Sequence, residues 1–315
     1  MPAKQHCLIL AAGFGSRMGP IGAQLPKVMW PVFEQSLLEL QLRFARQLGY
    51  ENIWINLHHQ ADVISERTRK LVSFKGVRWL IESPEILDIG GGIHNLAAQT
   101  NYDGELLVLN ADQFLWFTAE ELTQWKQAAS DWDVLLLNWQ VNSTQGYNQV
   151  ESDAKRNFVR VIKNAELPRN KAIETYSGNS LINLAGLKPS RGPSAFFDSI
   201  CNPANQTCKT ALLRDGKYWD FGTADRYWNS TREIMAAKAR GDEDAFTHFL
   251  ESTGAFNQTK FNATKLSYGC QQREVIHLGL GEVSPQRAPG VVIEGASRAE
   301  SGRPCFEFNG LTQFL

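Results

Sequence analysis

The chain has 315 residues, with 32 Lys and Arg against 33 Asp and Glu, and that balance excludes a polyelectrolyte partner such as nucleic acid. A composition of 43% hydrophobic and 21% charged residues suits a globular protein with a sizeable core, and no apolar run approaches the roughly 18 residues of a membrane span. Five cysteines, none in C-x-x-C spacing, imply neither a zinc site nor a disulfide framework.

An apolar strand is expected at Cys7 to Leu10, entered with no signal-peptide pattern, so a cytoplasmic location is expected. Ser36 can cap a helix that carries Leu37, Leu40, Phe44 and Leu48 on one side and stops at Gly49. Further strands are expected at Asn52 to Leu57, Val77 to Ile81, Leu106 to Leu109 and Val134 to Leu137. Their alternation with helical patterns predicts an α/β fold with a doubly wound, largely parallel sheet. Thr118 followed by Glu121 forms a capping box for a helix ending near Ala129. Phe158 to Ile162 and Ser180 to Leu184 predict an inserted β layer, with a Lys-, Asn- and Pro-rich loop between them. A helix is expected from Thr223 as N-cap to about Lys238, broken by Arg240-Gly241-Asp242, and another near Asp244 to Glu251. Short β runs at Val275 to Leu278 and Val291 to Ile293 complete a small α+β appendage. The segment Val291 to Ala296 matches a single hexapeptide β-helix turn, and one copy reads as a hairpin. The expected boundary falls at 240, with a core over residues 1–240 and an appended unit over 241–315.

The chemistry is concentrated where the first strand ends. Leu10-Ala11-Ala12-Gly13-Phe-Gly15-Ser16-Arg17-Met18 runs from a strand into a glycine loop, and Pro26-Lys27 follows eight residues after Met18. Gly13 and Gly15 let the backbone turn tightly and bring N–H groups near phosphate oxygens, while Arg17 and Lys27 add positive charge. The dinucleotide fingerprint needs glycine where Met18 stands, and a P-loop needs glycine where Pro26 stands, so neither applies. Taken alone, a glycine pair after a strand is equally an ordinary turn.

Four further stretches follow. Leu107-Val-Leu-Asn110-Ala-Asp112 ends a buried strand in polar residues at its carboxyl edge, where open α/β sheets bind ligands. Before it lies Glu82-Ser-Pro-Glu85-Ile-Leu-Asp88-Ile-Gly90-Gly91-Gly92. After it come Glu174-Thr-Tyr-Ser-Gly178-Asn179 and Tyr218-Trp-Asp220-Phe-Gly-Thr223. Together with the opening loop they resemble the sugar-1-phosphate nucleotidyltransferase family, with its L-A-A-G-x-G-S-R-M…P-K, E-P-L-x-T-G-G-G, T-F-T-G-I and W-x-D-x-G-T elements. The pattern looks most like the bacterial N-acetylmuramate-1-phosphate uridylyltransferase and mannose-1-phosphate guanylyltransferase groups.

This resemblance implies a Rossmann-like sheet of the nucleotide-diphospho-sugar transferase type. It also implies a reaction that joins an NTP and a sugar 1-phosphate into an NDP-sugar and pyrophosphate. Arg17, Lys27, Asp112 and Asp220 are then catalytic, the two cations on the triphosphate and the two aspartates on Mg²⁺. Leu10, Ala11, Ala12, Gly13, Gly15, Ser16, Glu82, Gly90, Gly91 and Asn110 line the nucleotide, and Glu174, Gly178 and Asn179 face the sugar. The chain departs from the family pattern at Ile89 (threonine there), at Ala111 (often glycine) and at Val161-Ile-Lys163-Asn164, where E-K-P is usual. A cytidylyltransferase acting on a polyol or choline phosphate shares the opening but lacks the triple glycine and the W-D-F-G-T element. A silent nucleotide-sugar-binding protein would lose an aspartate or a loop cation, and all four are present. Homo-oligomerisation through the appended unit is left open. His58 and His59 point to opposite faces of a strand end and do not form a metal pair. Trp54, Trp79 and Trp139 are expected in core packing.

Overall fold

The structure, a computed structural model, describes residues 4–33, 35–213, 217–241, 244–254, 275–277, 290–292, 305–308 and 311–314. Contacts group the chain into two compact units, Met1–Gly13 with Gln41–Tyr218, and Phe14–Leu40 with Trp219–Leu315. The first lies wholly within residues 1–240, and the second draws residues from both sides of position 240.

In chain order the first unit carries β1 (Gln5–Leu10), β2 (Asn52–Leu57), β3 (Arg78–Ile81), β4 (Glu105–Asn110) and β5 (Val134–Asn142). Then come β6 (Gln149–Ser152), β7 (Phe158–Ile162), β8 (Ala172–Asn183) and β9 (Cys208–Leu213). Its main sheet has seven strands in the order β9-β5-β8-β4-β1-β2-β3. All of them run parallel except β8, which is antiparallel to both β5 and β4. The helices are α1 (Leu37–Gln47), which spans the boundary at residue 41, α2 (Ala61–Thr68), α3 (Asp88–Gln99) and α4 (Ala119–Ala129). Both halves of the Thr118/Glu121 capping box form at the start of α4, and Ser36 Oγ accepts from the Glu39 N–H at the start of α1.

Leu8, Leu106, Val108, Leu136 and Ile182 of the sheet pack with Ile93, Leu96 and Ala97 of α3 in one cluster. Phe44 of α1 packs against Phe114 and Phe117 at ring separations of 5.1 and 5.0 Å. Helices therefore flank the sheet, as an α/β fold requires.

Two sequence expectations are corrected here. Ser180 to Leu184 does not form an inserted layer, because Ser180 to Asn183 is the end of β8 in the middle of the main sheet. Leu181 and Ile182 are both fully buried, as befits a strand covered on both faces. The inserted piece is the antiparallel pair β6–β7 alone. Three stretches are longer or additional: β5 runs on to Asn142, β8 begins at Ala172, and β9 had no sequence counterpart because Cys, Lys and Thr dilute its apolar run.

Strand β10 (Lys217–Asp220) crosses the boundary between the units. The second unit then has α5 (Ala224–Arg240) and α6 (Ala245–Ser252), capped by Thr223 and Asp244, with Gly241 in the left-handed region ending α5. Four short strands follow: β11 (Val275–His277), β12 (Gly290–Val292), β13 (Cys305–Phe308) and β14 (Leu311–Phe314). The segment at Val291 is not a hairpin, since β12 pairs in parallel with both β11 and β13. The hairpin is β13–β14. Leu278, Ile293 to Ala296 and Cys270 lie outside the described residues. No helix among the described residues is long and apolar enough to cross a membrane.

Candidate active site

In the first unit the carboxyl ends of β1, β2 and β3 are tied by one chain of hydrogen bonds. The Ala11 N–H donates to Asn56 Oδ1 at 2.8 Å, and Asn56 Nδ2 donates to Glu82 Oε1 at 2.7 Å. The other oxygen of Glu82 accepts from the Leu87 N–H at 2.8 Å. Glu82 is only 3% exposed, and a carboxylate so buried is costly unless donors hold it, which these do. The result fixes the chain entering α3. A Cβ at Gly92 would stand 3.0 Å from Glu82 Oε1, and one at Gly90 or Gly91 would stand 2.7 Å from Ala195 O or 2.5 Å from Gly192 O. These glycines let α3 sit against residues 192–199.

The end of β4 is held from two sides. The Asn110 N–H donates to Asn179 Oδ1 at 3.0 Å, and Asn110 Nδ2 donates to Gln113 Oε1 at 3.1 Å. Gln41 Nε2 donates to the carbonyls of Asn110 and Gln113 at 3.0 and 2.9 Å. Gly178 has φ +84° where the register of β8 on β5 shifts between Tyr176 and Ser180, and a Cβ there would lie 2.9 Å from Asn110 Nδ2. Only glycine meets both conditions. Beneath them, both amide atoms of Asn138 and Nδ2 of Asn179 are buried with no hydrogen-bond partner among the described residues. Arg156 grips Glu174 through two hydrogen bonds of 2.8 and 2.7 Å. The Tyr176 hydroxyl donates to Ser180 Oγ at 3.2 Å, and burial pushes this phenol well above its ordinary pKa. Trp139 stacks on Tyr218 with centroids 4.0 Å apart.

In the second unit Gly15, at φ +62°, begins the turn Ser16–Met18, and Ser16 and Arg17 are exposed on it. Half-buried Lys27 donates from Nζ to Gly222 O at 3.3 Å. The Gly222 N–H in turn donates to Asp220 Oδ1 at 2.7 Å, while Arg226 Nη1 donates to Asp220 Oδ2 at 2.6 Å. Asp220 is 6% exposed, and Ser230 Oγ donates to its carbonyl at 2.9 Å. Capping at Thr223 sets this up, because it starts α5 in the register that brings Arg226 back to Asp220. Tyr227, one residue on, donates its hydroxyl to Pro31 O and meets Trp30 edge to face.

The family model described as nucleotidyl transferase matches residues 6–237. The chain belongs to this family. Among its relatives, the bifunctional protein GlmU of Synechococcus sp. (strain CC9605) is 31% identical over 312 residues, covering 92% of this chain and 65% of its own length. A Sulfolobus acidocaldarius protein named, provisionally, a mannose-1-phosphate guanyltransferase is 21% identical over 235 residues, 73% of this chain and 63% of its own length. The chain thus spans less than two thirds of the length of either relative. HddC from Yersinia pseudotuberculosis, solved in complex with GMP-PN, shares the fold at a TM-score of 0.62 and 19% identity, over 73% of this chain and 99% of that one.

Several of the expected residues are brought together. Ala11, following Leu10, joins Glu82 through Asn56, and Asn110 joins Asn179 beside Gly178. Ala12 is buried and Gly13 exposed just after them. Gly90 and Gly91 face protein atoms through their missing side chains, and Glu174 is engaged by Arg156. Asp112 is half-buried in the turn after β4. Sequence reading passed over Asn56, Asn138 and Arg226. Each left a trace: the two asparagines interrupt otherwise apolar strands, and Arg226 lies in the first turn after the W-D-F-G-T element. As for metal, Asp112 and Asp220 are hard oxygen donors of the kind Mg²⁺ takes. Arg226 already engages Asp220, so a cation there would share the carboxylate with a guanidinium.

Proposed function

We propose that the chain carries out nucleotidyl transfer in the cytoplasm, with a phosphate oxygen of a sugar 1-phosphate attacking the α-phosphorus of an NTP. The bond from that phosphorus to pyrophosphate breaks, an NDP-sugar forms, and no covalent enzyme intermediate is needed. The observation that carries this reading is the Asn110–Asn179 hydrogen bond, which joins two of the family-like elements 69 residues apart at the end of β4. Ligands bind at such carboxyl edges in open α/β sheets.

Arg17 and Lys27 neutralise the triphosphate, the Gly13 to Gly15 backbone approaches it, and Glu82 with α3 positions the base-facing chain. Mg²⁺, held by Asp112 and Asp220, supplies charge neutralisation on the phosphates when bound. The protein's own contribution is placement and fixed electrostatics. Asn179 and Gly178 orient the sugar side, with Glu174 set by Arg156.

The test is pyrophosphate release by the purified chain with Mg²⁺, crossing four NTPs with N-acetylmuramate, mannose, glucose and heptose 1-phosphates. GTP heads the panel because of the name of the Sulfolobus relative and the GMP-PN bound to HddC. Release that needs one NTP and one sugar phosphate is expected; no release from any pair overturns the reading. Lys27→Ala and Asp112→Asn are each expected to lower turnover by about 10² to 10³, the usual effect of losing one preorganised charge-stabilising group. Near-normal turnover in either removes its assigned role.

A further inference from the structure

A second concavity lies in the first unit, at the edge strand of the sheet. Between the end of α2 and β3 the chain forms a cavity of about 680 Å³, within the range of ~300 to 1,000 Å³ typical of small-molecule sites. Its connection enters β3 at the amino end, whereas Glu82 follows the carboxyl end, so this cavity is separate from the site above.

The lining has an unusual balance. Arg69, Lys70 and Lys75 contribute three cations, and no acidic residue lines it. All three side chains are exposed, and among the described residues they form no ion pair. The wall behind them is aromatic: Phe74 and Trp79 are nearly parallel, at 8° and a centroid separation of 6.0 Å. Val72 stands 86% exposed on the rim, next to Leu71 at 38%, an apolar lip with no cover within its unit. Arg46 Nη2 donates to Lys75 O at 2.8 Å and holds the turn in place. Three positive charges on the lining call for an anion, and a flat aromatic wall with an apolar lip calls for a flat, apolar body.

We propose that this cavity is a binding site for an organic anion with a flat apolar body, a nucleoside monophosphate or an aryl acid. The cations take the acidic group and the Phe74–Trp79 wall takes the ring. Such a site is distinct from the transfer reaction and offers a place for an effector.

The experiment uses the full-length chain labelled with 5-fluorotryptophan, with the Trp79 fluorine resonance assigned by Trp79→Phe. It is titrated with AMP, GMP, UMP and CMP, with naphthalene-1-sulfonate, and with inorganic phosphate. At least one organic anion is expected to move the Trp79 resonance saturably, and inorganic phosphate to bind more weakly. Movement by nucleotides alone identifies a nucleoside phosphate site; movement by the sulfonate as well identifies a site for aryl acids in general. Arg69→Glu and Lys75→Glu are each expected to weaken that binding about tenfold or more, the worth of one charge-assisted hydrogen bond. Their other tryptophan resonances, unchanged, establish that they fold. The proposal is overturned if no organic anion moves the resonance, if phosphate alone binds as tightly, or if the charge reversals leave the affinity unchanged. The readout is binding, so it stands apart from whether the chain transfers nucleotidyl groups.

Discussion

Gly178 makes a sharp test of the site at the level of one residue. Alanine there would be held at φ +84° with its methyl 2.9 Å from Asn110 Nδ2, whereas Gly192 has φ +82° with nothing within 4 Å. Gly192→Ala is therefore expected to cost about 1 kcal/mol of backbone strain, and Gly178→Ala about 2 to 3 kcal/mol, since it also pushes on Asn110. Urea midpoints of the two variants compare the terms directly, and equal losses would mean that Asn110 yields freely. Two histidines set a pH response. Burial lowers the pKa of His6 and of His94 below the ordinary imidazole value, in each case partly offset by a backbone contact. A buried imidazole that resists protonation stabilises the fold above about pH 6.5, and that stability is lost as pH falls through the folded-state value. The urea midpoint should hold steady above neutrality and decline below it, with a shallower decline in His94→Gln. Residue-level reading of the sequence drew on loops, where Gly15, Lys27 and Asp220 stand in strings of fixed letters. It missed Asn138 and Asn56, because a single amide in an apolar strand carries no local signal of what faces it.

Helices were the most legible elements. Thr118 with Glu121, Thr223 and Asp244 each announced an N-terminus that the structure has, since capping is a local hydrogen-bonding event written in adjacent residues. Strand β8 was only half visible. Its first half, Ala172 to Gly178, alternates with Glu174 and Tyr176, and nothing local says that this stretch joins the main sheet. Helix α6 offers a test at this scale. Phe246 stacks on Trp219 with centroids 3.8 Å apart and is 4% exposed. Phe246→Ala is expected to cost roughly 3 to 5 kcal/mol, as large aromatic truncations in cores do. Trp219 adjoins Asp220, so pyrophosphate release should fall along with the unfolding midpoint; a lost midpoint with full turnover would uncouple α6 from the aspartate.

For the molecule as a whole, family and sheet type were legible from the motif order, whereas the pairing of the tail was not. Strands of three residues with Gly and Pro between them give no register. The tail nevertheless reaches the opening loop within the second unit. Gln313 Oε1 accepts from the Ile21 N–H at 3.4 Å, and a Cβ on Gly19 would lie 2.5 Å from that oxygen. A chain ending at Arg240 is expected to keep the far-ultraviolet signature of the seven-stranded sheet but to show a raised KM for the NTP. An unchanged KM would free the loop from the tail, and the mass of the truncated chain in solution reports whether residues 241–315 mediate self-association. The one reversed strand has a further consequence, for how the protein is made. β8 pairs with β4 from Ser180↔Val108 to Asn183↔Glu105 and fills the gap between β4 and β5, yet it leaves the ribosome about 70 residues after β4. At about 5 to 20 residues per second, that interval lasts roughly 4 to 15 s. Once β5 has also emerged, β4 and β5 have open edges toward each other, the kind that templates wrong pairing between nascent chains. Strand β8 is thus made after both of the strands it joins, and their facing edges stay unpaired until it arrives.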